Sequence, residues 1–219
     1  MNGVFRSALI AVLLLTVSSA GLAAPRKSAS ELAALAKARE FFDKGSLYAG
    51  QKKDNSAIEA YTKAIELNPE FVEAYTARGT MYVRTGKHER ALSDFNKALL
   101  VDRNNVSAYN NRGMLFFRQG NYGPAVEDLS KAITISPNTV TYYLNRAAIY
   151  TAQKQHEKAL ADYTIAIGIE PSNADAYAGR GNACFDLGRM DQAAIDLKKA
   201  CSLGSEAGCK GLKAITKGK

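Results

Sequence analysis

The sequence predicts an all-α solenoid, a row of antiparallel helix hairpins closed by one more helix. Three observations carry this. The chain aligns to itself without a gap at a shift of 34 residues, giving windows 38–71, 72–105, 106–139, 140–173 and 174–207. Within each window small and aromatic residues recur at helical spacing. Turn-forming residues gather twice per window, once in the middle and once at the end. Composition agrees, because 47% apolar and 23% charged residues describe a globular chain rather than a disordered or polytopic one. Two histidines and three cysteines are too few for most zinc sites or for a cysteine-stapled scaffold.

Residues 1–23 read as a secretory signal. Arg6 supplies a positive start, Ala8 to Val17 is apolar apart from Thr16, and small residues follow. Gly21-Leu22-Ala23 fits a cleavage site, so the mature chain is expected to begin at Ala24. The apolar run is only about 10 residues, against roughly 20 needed to span a bilayer, which argues against a retained anchor. Residues 24–37 are an N-terminal extension and the start of the first helix. Ser28-x-x-Glu31 has the form of a capping box, and Leu32, Leu35 and Phe42 continue an apolar stripe, so this helix is expected to start near residue 29.

Positions are counted from 1 within each window. The first helix carries an aromatic at position 4 (Phe41, Tyr75, Tyr109, Tyr143, Tyr177), Gly or Ala at position 8, and Tyr48, Tyr82, Phe116, Tyr150 and Cys184 at position 11. The second carries alanine at position 20 (Ala57, Ala91, Ala125, Ala159, Ala193), large residues at position 24, and alanine again at position 27 (Ala64, Ala98, Ala132, Ala166, Ala200). Small residues at positions 8 and 20 are expected to face each other and let the backbones approach. Gly86, Gly120 and Gly188 suit the turn between the helices, where Lys154 departs from the pattern. Pro69, Pro137 and Pro171 stop the second helix, and Arg103 and Ser205 stand in their place elsewhere. Residues 208–219 form a basic cap and tail, whose Leu212 and Ile215 would cover the last window while Lys210, Lys213 and Lys217 face water.

These columns resemble the tetratricopeptide repeat, and the resemblance covers residues 38–207. It implies a right-handed superhelical solenoid of five helix-turn-helix repeats with a concave groove lined by the first helices. It also implies that positions 2, 5, 6, 9, 12 and 13 face the groove. Asn110, Asn111, Asn145, Arg84, Met114, Phe117 and Arg118 are then the candidate peptide-binding residues. An amide side chain can donate to and accept from a peptide backbone at once, and exposed Met and Phe would anchor an apolar side chain. The Lys/Arg carboxylate clamp of chaperone-binding relatives is absent, because Asn110, Thr141 and Asn145 occupy its positions. The bland alternative is that these asparagines cap or solvate helices. The segment Cys201 to Cys209 is similar to the junction of secreted bacterial helical-repeat proteins, in which a disulfide ties one helix to the next. That likeness implies a Cys201–Cys209 bond, with Cys184 left as a buried thiol.

Two constellations have structural readings. Position 7 is Arg78, Arg112, Arg146 and Arg180, and position 23 is Asp94, Asp128, Asp162 and Asp196; the first window has Lys44 and Ala60, so the two types appear and vanish together. An ion-pair ladder is expected, within or between repeats. His88 and His156 share position 17, a packing or capping place, 68 residues apart. No nucleophile-and-base pairing, phosphate loop or nucleotide fingerprint occurs. The expected function is a periplasmic or secreted scaffold, not an enzyme and without a cofactor or metal, that binds a protein or extended peptide. The net charge of +8 is concentrated in a tail with six lysines and one glutamate over residues 198–219. That leaves, as alternatives, an anionic envelope-surface or cell-wall polyanion binder, or a non-catalytic subunit of an envelope enzyme. Arginines interleaved with aromatics are missing from the tail, so nucleic acid is not an expected partner.

Overall fold

The computed structural model describes residues 28–217, and the expected signal segment lies outside them. The described residues form helices in sequence: α1 (Ala29–Gly50), α2 (Asp54–Leu67), α3 (Val72–Arg84), α4 (His88–Val101), α5 (Val106–Arg118), α6 (Tyr122–Ile135), α7 (Val140–Ala152), α8 (His156–Ile169), α9 (Ala174–Asp186), α10 (Met190–Ser202) and α11 (Glu206–Lys217). Each helix packs on the next, and successive odd-numbered helices from α1 to α9 also touch one another. The result is a solenoid of helix pairs whose first helices share one face. Among the described residues no helix is long and apolar enough to cross a membrane.

Local chemistry explains the boundaries. Ser28 caps α1 reciprocally: its side chain accepts from the Glu31 N–H while the Glu31 carboxylate accepts from the Ser28 N–H. Asn105 and Asn173 accept from the N–H groups of Ala108 and Ala176 and so open α5 and α9. Gly86, Gly120 and Gly188 turn the chain between paired helices at φ 73°, 79° and 74°. Lys52 and Lys154 take the same left-handed conformation at φ 58° and 56°.

The alanine columns are fully buried, and the larger core residues Phe95, Leu115, Leu129, Ile149 and Leu197 fill the space beside them. The role expected of the position-8 glycines is refined. A methyl group on Gly45, Gly79 or Gly181 would first meet position 24, at 2.6 Å from Tyr61, 2.7 Å from Phe95 and 2.8 Å from Leu197. At Gly113 such a methyl would first meet the position-20 carbonyl oxygen of Ala125 and the Asp128 Cβ, both at 3.2 Å. The small residue therefore mainly seats the large side chain of its partner helix. In the fourth repeat Ala147 occupies that seat, and the Tyr163 ring lies instead where a Gly179 side chain would be.

α11 closes the far end on α10 and α9. Cys201 and Cys209 are disulfide-bonded with Cα atoms 4.5 Å apart, and Cys184 is a buried free thiol. Leu212 and Ile215 are half-buried in this contact, whereas Lys210 and Lys213 are exposed.

Candidate functional site

The arginine–aspartate ladder forms within repeats. Arg78 donates from Nε and Nη2 to both Asp94 carboxylate oxygens at 2.9 and 2.8 Å. Arg112–Asp128, Arg146–Asp162 and Arg180–Asp196 repeat the fork at 2.7–2.9 Å. The aspartates are buried, between 3% and 5% exposed. Hydrogen bonding to its aspartate holds each of Arg112, Arg146 and Arg180 above the usual guanidinium range, against the opposing effect of burial. For Arg78 burial is the largest influence and acts downward, yet the Asp94 bond and charge together still raise it.

The sequence reading missed the third contact of each guanidinium. Nη1 of Arg78, Arg112, Arg146 and Arg180 donates back to the preceding repeat, to Thr62, Asn96, Ser130 and Thr164. All four acceptors sit at position 25, a small polar column spaced by 34 that was present in the sequence. Each arginine thus fastens its own hairpin and also the seam in front of it. The aspartates are buried and the arginines half-buried, so removing an arginine, which strands a buried carboxylate, costs at most ~3–5 kcal/mol.

Along the shared face of the first helices the structure joins the predicted asparagines into a chain. Asn145 Nδ2 on α7 donates to Asn110 Oδ1 on α5 at 2.8 Å. Asn110 Nδ2 donates to Asn111 Oδ1 at 3.2 Å, and Asn111 Nδ2 donates to Thr80 Oγ1 on α3 at 3.1 Å. All three asparagines are half-buried. Each uses only part of its hydrogen-bonding capacity this way, since an amide offers two N–H donors and an oxygen with two lone pairs. Thr80, which the sequence reading did not single out, is the end of the chain and lines a cavity of about 240 Å³ with Glu73, Thr76, Ala77, Asn105 and Ser107.

The flanking candidates are placed differently from the expectation. Met114 and Phe117 are half-buried, not exposed; they pack on the cluster of Ala125, Leu129 and Ile149, and Phe117 meets the Tyr122 ring at 5.9 Å. The cause is the second helix of the same repeat and the first of the next, which cover them. Arg84 is not a free cation either, because it pairs with Asp54 at 2.9 Å. Arg118 is exposed at the end of α5. His88 and His156 open α4 and α8, and His156 Nδ1 lies 3.3 Å from Asp186. Among the described residues no group of three or more His, Cys, Asp or Glu side chains stands together as metal ligands would.

Residues 45–86, 79–120 and 148–188 match the family described as TPR repeat, and residues 106–139 and 174–203 match tetratricopeptide repeat descriptions. A crystal structure of MamA protein aligns with a TM-score of 0.68 at 26% identity, over 76% of this chain and 91% of that one. YrrB, described as a TPR protein with an unusual peptide-binding site, aligns with a TM-score of 0.66 at 20% identity, over 79% of this chain and 90% of its own. PilF of Pseudomonas aeruginosa aligns with a TM-score of 0.74 at 17% identity, over 85% and 86%. The last two likenesses concern the fold alone. No curated protein sequence matches the chain.

Proposed function

The chain belongs to the tetratricopeptide repeat family, and from that premise we propose that it is a non-catalytic scaffold whose concave face binds an extended segment of a partner protein. The observation that carries this is the chain of hydrogen bonds from Asn145 through Asn110 and Asn111 to Thr80. It spans three first helices and fixes the amides in orientation, so little ordering remains to be done when a peptide backbone arrives. The spare N–H and C=O sites then pair with that backbone, and selectivity falls to the rim, where Arg118 is exposed and Met114 and Phe117 offer partial apolar surface. The peptide-binding description of YrrB is in keeping with this use. In this reading residues 38–207 are the working scaffold and 208–219 its cap. The scaffold acts in the periplasm or outside the cell after removal of residues 1–23, and the Cys201–Cys209 bond supports an oxidising compartment.

The test is capture of partners from the native envelope on wild-type protein and on the Asn111→Ala/Asn145→Ala double variant, followed by calorimetry on the partner recovered. Loss of an amide from a desolvated backbone contact is expected to weaken binding by ~1–3 kcal/mol, with circular dichroism confirming an intact fold. A folded double variant that binds as wild type does would remove the groove from the account.

A further inference from the structure

The five repeats act as internal controls for one another, and the fifth lacks something the others have. Position 11 is a ring in the first four repeats and Cys184 in the fifth. Arg78 stacks on Tyr75 and Tyr82, both at 5.8 Å, and Arg112 on Tyr109 and Phe116 at 5.8 and 5.9 Å. Arg146 stacks on Tyr150 at 5.9 Å. Arg180 keeps Tyr177 at 5.6 Å but has a thiol where the second ring would be. A second cation, from position 19, also lies over the ring in two repeats: Arg90 over Tyr82 at 5.9 Å and Lys158 over Tyr150 at 5.5 Å. In the fifth repeat that position is Gln192.

The missing ring leaves space. A depression of about 320 Å³ opens between α8 and α10, with Leu160 and Thr164 on one wall, Gln192 and Ile195 on the other, and Arg180 and Cys184 beneath. The first repeat keeps Tyr48 at position 11, and its depression of about 110 Å³ is lined by α1 and α2 alone, without the wall that the preceding repeat's second helix supplies in the fifth. On the floor the Arg180–Asp196 ion pair lies beside the Cys184 thiol, which burial pushes up, away from the thiolate, and which donates to Gln192 Oε1 at 3.8 Å. The rim departs from the other repeats in the same direction. Position 22 is glutamate in the first and third repeats but Ile195 here, and Ile195 is 69% exposed.

We infer that this depression receives an aromatic side chain, tyrosine or phenylalanine, projecting from a partner protein, which takes the place that Tyr48, Tyr82, Phe116 and Tyr150 hold in their own repeats. The ring would meet the Arg180 guanidinium and the Cys184 sulfur, two groups that attract aromatic rings. At 100° per residue, positions 7 and 11 lie on the side of the first helix opposite the groove positions 5, 6 and 9. The site is therefore separate from the concave face and stands or falls independently of it.

The test uses the oxidised protein, the capped peptides acetyl-Gly-Tyr-Gly-amide and acetyl-Gly-Leu-Gly-amide, and amide NMR shifts. The tyrosine peptide is expected to give saturable shifts at Thr164, Cys184 and Ile195, with the leucine peptide at least fivefold weaker. Cys184→Tyr, which restores the ring from within, is expected to weaken binding at least tenfold. Ile195→Glu restores the surface residue of the first and third repeats without touching the core, and is expected to weaken binding about fivefold; it decides the matter if Cys184→Tyr does not fold. Asn111→Ala/Asn145→Ala leaves these shifts in place. Absence of saturable shifts, equal binding of the leucine peptide, or undiminished binding by the folded variants would each overturn the assignment.

Discussion

Single residues carry the strain and the precision of this molecule. Lys52 and Lys154 take a left-handed backbone at the turn where Gly86, Gly120 and Gly188 take it freely. For a residue with a Cβ that conformation costs ~1–2 kcal/mol, and glycine gives back ~0.5–1 kcal/mol through its more flexible unfolded state. Lys154→Gly is therefore expected to raise stability by about 0.5–1 kcal/mol, read as a higher urea midpoint at unchanged slope. The turn itself was legible, because three glycines mark its place; that a lysine would accept the same φ was not, since nothing in a side chain announces it. The asparagine chain was half legible. Asn111 and Asn145 share a column, but Asn110 and Thr80 join them only through rotamers that depend on how closely α3, α5 and α7 approach.

The helices show why pattern reads better than exposure. Their ends follow the period even where a marker is missing: α4 stops at Val101 with Arg103 in the place of Pro69, Pro137 and Pro171. The Asn105 cap and the packing of the next helix suffice. Exposure, by contrast, belongs to pairs of helices, and Met114 and Phe117 look open from α5 alone because the covering contribution of α6 and α7 has no signature in it. At the C-terminal end the Cys201–Cys209 bond ties α11 to α10 across a short loop. The double variant Cys201→Ser/Cys209→Ser is expected to lose roughly 2–3 kcal/mol in the chain-entropy view. Because contacts in a solenoid are mostly between neighbours, the loss falls on the end that bears it. Hydrogen exchange should quicken over α11 and stay unchanged over α3 to α6.

At the scale of the whole molecule, stability is a row of similar interfaces, and buried phenols in different repeats each add to its pH dependence. Burial raises the phenol pKa of Tyr75 and of Tyr163, more than Arg78 and Thr151 respectively lower it. In the unfolded chain both phenols ionise near about 10. Above that pH the folded state holds more protons than the unfolded one, so stability present at neutral pH falls as pH rises through the folded values. The decline attributable to these two groups is up to ~1.4 kcal/mol per pH unit each. Tyr75→Phe/Tyr163→Phe should flatten the fall above about pH 10 in urea titrations, relative to wild type at the same pH.

The backward reach of Arg78, Arg112, Arg146 and Arg180 makes each joint a matter of period rather than of place. Suppose residues 106–139 were copied and spliced behind Thr139. The copy's Arg112 would find Ser130 ahead of it, and its own Ser130 would wait for Arg146 behind. Both splices would present partners of the kind the chain already uses. Lengthening or shortening the rod between its two ends needs no new chemistry, so the span of the molecule is a quantity that duplication of a gene segment can count up or down.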